Sequence, residues 1–69
     1  MDITDSSMDY GANTLLLLYE DGFLEVDLWK WVKENYGNLN GGKIISRSEE
    51  SRYIGYVNPA SVTIKFSEN

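Results

Sequence analysis

The sequence predicts a small α+β domain in which one helix lies across one face of a single, mainly antiparallel sheet. Three observations point there. One window, Leu28 to Tyr36, carries apolar residues at helical spacing between a capping Asp27 and a stop at Gly37. Runs rich in Leu, Ile, Val and Tyr lie on both sides of it. Turn signals, Glu20-Asp21-Gly22 and Asn58-Pro59, punctuate those runs. The expected order is β-β-α-β-β-β, about five strands. With the helix between two strand pairs, it has a β-grasp-like arrangement.

Residues 1–13 are polar and acidic, show no periodicity, and read as a flexible acidic tail preceding a single domain over 14–69. The spacing of Asp2, Asp5 and Asp9 does not fit a calcium loop, which sets oxygen ligands at alternate residues around a central Gly. Thr14 to Tyr19 reads as a strand, and Glu20-Asp21-Gly22 as a turn closing through a bulge. Phe23 to Asp27 alternates as a return strand. That hairpin sets Leu18 against Leu24 and Leu16 against Val26, so Leu15, Leu17, Tyr19, Phe23, Glu25 and Asp27 share the opposite face. A helix starting at Leu24 with Asp21 as cap is the alternative, and it leaves Val26 pointing to water.

In the expected helix, Leu28, Trp31, Val32 and Asn35 share one face, with Trp31 as core anchor and Trp29 at the margin. Residues 38–42 form a loop. Lys43–Ser48 and Arg52–Val57 read as strands joined at a Glu49-Glu50 tip, and Val62–Phe66 as a last strand before a short C-terminal stub. That tip pairs Arg47 with Arg52 and Ile45 with Ile54. Alternation then turns Ile44, Tyr53, Val57, Val62, Ile64 and Phe66 inward. Lys43, Ile45, Arg47, Arg52, Ile54, Tyr56, Thr63 and Lys65 turn outward. The uncovered face would thus carry an apolar strip of Leu15, Leu17, Tyr19, Phe23, Ile45, Ile54 and Tyr56 beside Arg47 and Arg52. Such a strip on an open face marks an interaction surface.

The charges divide unevenly. Residues 1–29 hold seven acids and no base, and residues 30–69 hold four acids and all six bases. A lopsided field steers a protein toward a charged partner. Catalysis is hard to assemble. No His or Cys is present, which removes the commonest general base and metal ligand, the thiolate nucleophile and any disulfide. No Ser stands in a Gly-x-Ser-x-Gly elbow. The carboxylate pairs Glu20/Asp21 and Glu49/Glu50 sit at expected turn tips, where nothing raises a pKa for acid work. Asn40-Gly41-Gly42-Lys43 leads into a strand and lacks the spacing of a phosphate loop. The sequence therefore calls for no cofactor, no metal and no enzymatic activity. The longest apolar run, Leu15 to Tyr19, falls far short of a bilayer span, the N-terminus lacks the pattern of a signal peptide, and the expected compartment is the cytoplasm.

Small size, acidity and the absence of catalytic residues resemble the small phage-encoded inhibitors of bacterial defence, of the anti-CRISPR and anti-restriction type. The resemblance lies in size and charge, and no motif carries it. It implies a protein partner, a nucleic-acid-processing complex of a bacterial host, whose nucleic-acid surface is occupied by Asp9, Glu20, Asp21, Glu25 and Asp27, joined by Asp2 and Asp5. Two alternatives stand beside it. One is a homodimeric assembly module joined through the open sheet face. The other, disfavoured by net negative charge, is single-stranded nucleic-acid binding through Lys43, Arg47, Arg52, Tyr56 and Lys65.

Overall fold

A computed structural model describes residues 2–37 and 39–67. The parts of the expected tail, loop and stub that fall on Met1, Asn38, Glu68 and Asn69 lie outside the described residues. The α+β character and the antiparallel sheet are as expected. The elements are β1 (Asp2–Asp9), β2 (Thr14–Glu20), α1 (Glu25–Tyr36), β3 (Lys43–Ser48), β4 (Ser51–Tyr53), β5 (Tyr56–Asn58) and β6 (Ala60–Lys65). Instead of one sheet of about five strands there are two: a four-stranded sheet ordered β1-β2-β6-β3 and a two-stranded β4-β5 ribbon. The β-grasp-like arrangement does not extend to this strand order.

The expected acidic tail is strand β1, paired with β2 from Asp2↔Glu20 to Asp9↔Thr14. A bulge between Ile3 and Asp5 shifts the register. Ile3, Ser6 and Met8 consequently stand opposite the inward residues Tyr19, Leu17 and Leu15. One extra residue hides the period-2 pattern, and only two inward side chains of the strand are large and apolar.

The expected return strand Phe23–Asp27 is not formed. Helix α1 begins at Glu25 with Leu24 as N-cap, close to the alternative start. No side chain caps it, but Glu25 and Asp27 in the first turn suit the positive end of the helix dipole. Gly37, at φ 73°, closes the helix with its N–H on the Lys33 carbonyl. Val26 does face water; the segment is too short and too soon followed by helix to pair with β2.

This changes which face of β2 is covered. Leu15, Leu17 and Tyr19, expected on the open face, are buried at 0, 0 and 2% exposure. They pair with Ile64, Val62 and Ala60 of β6, and Leu28 and Val32 of the helix close over them. Four consecutive leucines satisfy either face, and the choice is made by Tyr19 and by the alternation of β6. Leu28 and Val32 take the core position expected of Trp31. Trp29 and Trp31 are both half-buried at its margins, and Asn35, expected on the core face, is exposed with its Nδ2 donating to the Trp31 carbonyl at 2.9 Å. Trp29 lies against Gly42, where an added Cβ would sit 3.0 Å from the indole. Strands β2 and β3 both run antiparallel to β6, so they are parallel to each other and need the helical crossover that joins them.

Among the described residues, the uncovered face carries none of the expected Leu15, Leu17 or Tyr19. It carries Leu16 and Leu18 among Ser7, Ser46, Ser61 and Thr63. Of the leucine strip expected to join a homodimer there, Leu15 and Leu17 are core and Ile45 is exposed.

Fully burying a Leu or Ile stabilises a fold by about 1.5–3 kcal/mol, so in a chain this small the buried face decides folding. We expect Leu17→Ala to cost ~2–5 kcal/mol and Leu16→Ala less than ~1 kcal/mol. Urea unfolding followed by tryptophan fluorescence measures both, and equal losses would contradict the assignment of faces.

Candidate interaction site

The strands expected to pair as Arg47/Arg52 and Ile45/Ile54 do not. Strand β3 instead pairs with β6, setting Arg47 opposite Val62 and Ser48 opposite Ser61. The pairing resumes as Ser51↔Asn58, Arg52↔Val57 and Tyr53↔Tyr56, closed by the two-residue turn Ile54-Gly55. Glu49 and Glu50 lie at the root of this arm, not at its tip. Pro59 stands where β5 passes into β6, a break where a missing N–H is tolerated. From Lys43 to Ile54 an extended chain spans about 36 Å, most of the 44 Å long dimension of the molecule. The arm therefore projects rather than folding back.

The arm has no covering. Tyr53, Ile54 and Tyr56 are 70, 80 and 75% exposed, and Val57 is exposed beside them. Ile54 and Tyr56 were expected at the surface, whereas Tyr53 and Val57 were expected inward. An inward role would need another layer over the arm, and none of the arm's strands belongs to the main sheet.

The turn carries backbone strain. Ile54 adopts φ 34° and Gly55 φ 78°. A two-residue hairpin turn wants positive φ at both positions, and Asn-Gly meets that demand best. A β-branched residue with positive φ is an outlier that costs about 1–3 kcal/mol. The chain accepts that cost to place an isoleucine, bare to solvent, at the farthest point of the arm.

At the arm's root is an open cleft of about 350 Å³ lined by Tyr19, Asp21, Gly22, Arg47, Glu49, Glu50, Arg52 and Ala60. The Arg47 guanidinium lies 4.5 Å from the centre of the Phe23 ring, which meets Tyr19 edge to face at 5.1 Å. Arg52 pairs with Glu50 at 2.9 Å, and an ion pair this exposed contributes at most about 1 kcal/mol. Three carboxylates and two guanidiniums leave the cleft slightly acidic.

The residues expected to bind a partner thus separate. Leu15, Leu17 and Tyr19 are core. Phe23 is half-buried beneath Arg47, joining core to cleft. Ile45 is exposed as the extra residue of a bulge in edge strand β3. Arg47 and Arg52 line the cleft, and Ile54 and Tyr56 form the tip. Among the acids, Asp21 reaches the cleft from a turn at φ 63°. Glu20 ends β2, and Glu25 and Asp27 are exposed at the helix start. Asp9 sits at the far end of β1, its Oδ1 accepting the Ala12 N–H at 3.1 Å, and does not join them. Sequence reasoning missed Tyr53 and Val57 because Ile-Gly is not the usual signal for a two-residue turn. The Tyr53-Ile54-Gly55-Tyr56 stretch, with Gly at the second turn position, was the available hint.

Among the described residues no group of three or more His, Cys, Asp or Glu is placed to hold a metal ion, and no helix is long and apolar enough to cross a membrane. Comparison with protein-family models, with curated proteins and with solved structures finds no match.

Replacing the strained tip residue tests whether it serves folding. We expect Ile54→Asn to raise stability by about 1 kcal/mol, read as a higher urea midpoint with an unchanged slope. A lower midpoint would mean that Ile54 is needed by the fold itself.

Proposed function

We propose that the protein is a non-catalytic binding module that inserts the tip of its projecting hairpin into a protein partner. The observation that carries this reading is the strained, solvent-exposed Ile54 between Tyr53 and Tyr56. Tyr is among the residues that dominate binding energy at interfaces. A large apolar cluster kept out of the core, at a local cost in stability, is explained by a partner that buries it.

The acidic half supports a partner with a basic surface. Asp2 and Asp5 on β1, Glu20 at the end of β2, Asp21 just after it, and Glu25 and Asp27 on the helix are all exposed. In this reading the partner is a nucleic-acid-processing complex inside a bacterial host, and the protein inhibits it by occupying the surface that nucleic acid would use. The carboxylates act by long-range steering rather than by copying phosphates one for one. Asp5 and Asp9, on one face of β1, are about 13 Å apart along the strand, whereas a duplex carries a charge roughly every 1.7 Å of its axis.

Direct single-strand binding is less well supported. Lys43 and Lys65 are paired at one end of the sheet, while Arg47 and Arg52 share the cleft at the other with Asp21, Glu49 and Glu50. The bases therefore form no continuous track for a phosphate backbone.

Capture from a bacterial lysate on immobilised protein tests the reading, with the variant Tyr53→Ala/Tyr56→Ala as control. We expect the variant to bind the captured partner at least about 100-fold more weakly and to keep its unfolding midpoint. Equal retention by both would remove the arm from the interface. Reversing Glu20, Asp21, Glu25 and Asp27 to Lys should slow association and abolish its salt dependence. Failure of nucleic acid to compete with the bound protein would remove the inhibitory part alone.

A further inference from the structure

We propose that copies of this chain add to one another head to tail, the β1 edge of one copy pairing with the β3 edge of the next. The order β1-β2-β6-β3 leaves β1 and β3 as the two edges of the main sheet. Every neighbouring pair is antiparallel, so with four strands the two edges run in opposite directions. A second copy displaced sideways then presents its β1 antiparallel to β3, and the helices of both copies lie on the same side.

The edges are complementary in charge. Strand β1 carries Asp2, Asp5 and Asp9 and no base, while β3 carries Lys43 and Arg47 and no acid. The rows across the sheet are complementary too. One row runs Asp9, Thr14, Lys65, Lys43; the next Met8, Leu15, Ile64, Ile44; the next Ser7, Leu16, Thr63, Ser46. Extending each row into the next copy sets Lys43 against Asp9, Ile44 against Met8 and Ser46 against Ser7. These three pairs match in face and in chemistry; the rows beyond them set Arg47 against Ser6 and Ser48 against Asp5, so Lys43–Asp9 is the ion pair that this register makes. A one-residue slip would set Ile44 against Ser7 or Asp9, so the match selects the register. Lys43 and Lys65 already stand directly opposite one another, an unfavourable arrangement, and the neighbour's Asp9 relieves it. The bulge in β1 lies before Asp5 and leaves its pairing segment regular. Ile45 is the extra residue on the β3 side, as it is in the pairing of β3 with β6.

The same charges argue against symmetric pairing. Strand β1 against β1 would oppose acids, and β3 against β3 would bring bases together without an acid. A head-to-tail contact does not close on itself unless the rotation between copies completes a ring. Sheet twist of about 20–25° per strand makes the product a winding ladder. The contact uses neither the arm tip nor the carboxylates at the helix start and shares with the proposed partner surface only the β1 acids, so its test is distinct from that of the arm.

Sedimentation velocity from micromolar to millimolar concentration at low salt tests the contact. The native chain should rise in mass continuously past the dimer. Lys43→Glu and Asp9→Lys should each weaken association by about tenfold, since each sets like charges across the contact. Mixing the two variants should restore it, because each reversed charge then meets its opposite on the neighbouring copy. Both sites are exposed, and circular dichroism checks that each variant folds. A mass that stays at one chain throughout, that stops at two, or that ignores both reversals would overturn the proposal. So would a mixture that associates no better than its components.

Discussion

Only the stretch 21–24 separates the end of β2 from the start of the helix. A connection that short sends the helix straight back across the sheet it has just left, and whichever face of β2 it meets becomes the core. Tyr19, Leu17 and Leu15 meet it, with β6 supplying Ala60, Val62 and Ile64 alongside. A small domain has little apolar surface to bury. Once this face is chosen, the helix, the central strands and the placement of Phe23 under Arg47 follow.

The arm follows from the same shortage. With the core complete around β2, β6 and α1, none of the described residues covers β4 and β5. An isolated two-stranded ribbon is marginal in water, and this one is joined to the body through the paired β3 and β6 strands at its root. Its tyrosines and isoleucine do not hold the fold together, which frees them to serve recognition. The cleft at the root, with Arg47 braced on Phe23 and Arg52 on Glu50, connects that recognition element to the core through contacts that are individually weak.

Much of the local architecture was legible. Strands 14–19 and 43–48, the body of the helix, its stop at Gly37 and the alternation of Val62 and Ile64 were each carried by a strong local signal. The failures share one cause: a local pattern consistent with two answers. Leu15 to Leu18 fits either face. Phe23 to Asp27 alternates like a strand yet lies in the cap and first turn of a helix. The bulge at Thr4 conceals the pairing of β1, and Ile54 holds a turn position where Asn would have announced it. For the candidate site, the sequence placed Ile54, Tyr56, Arg47 and Arg52 at the surface, and wrongly placed Leu15, Leu17 and Tyr19 beside them.

By itself the sequence determined that this is a small acidic α+β chain with one helix, strands on both sides of it, and no residues for the commonest catalytic or metal chemistry. Those properties are local or compositional, and need no partner segment to be read. Only the tertiary structure decided which leucines are core, that the acidic N-terminal segment is an edge strand, and that the apolar residues of 53–57 stand clear of the body. Each of those depends on which distant strand lies alongside, and in a β-sheet a shift of one residue exchanges inside for outside.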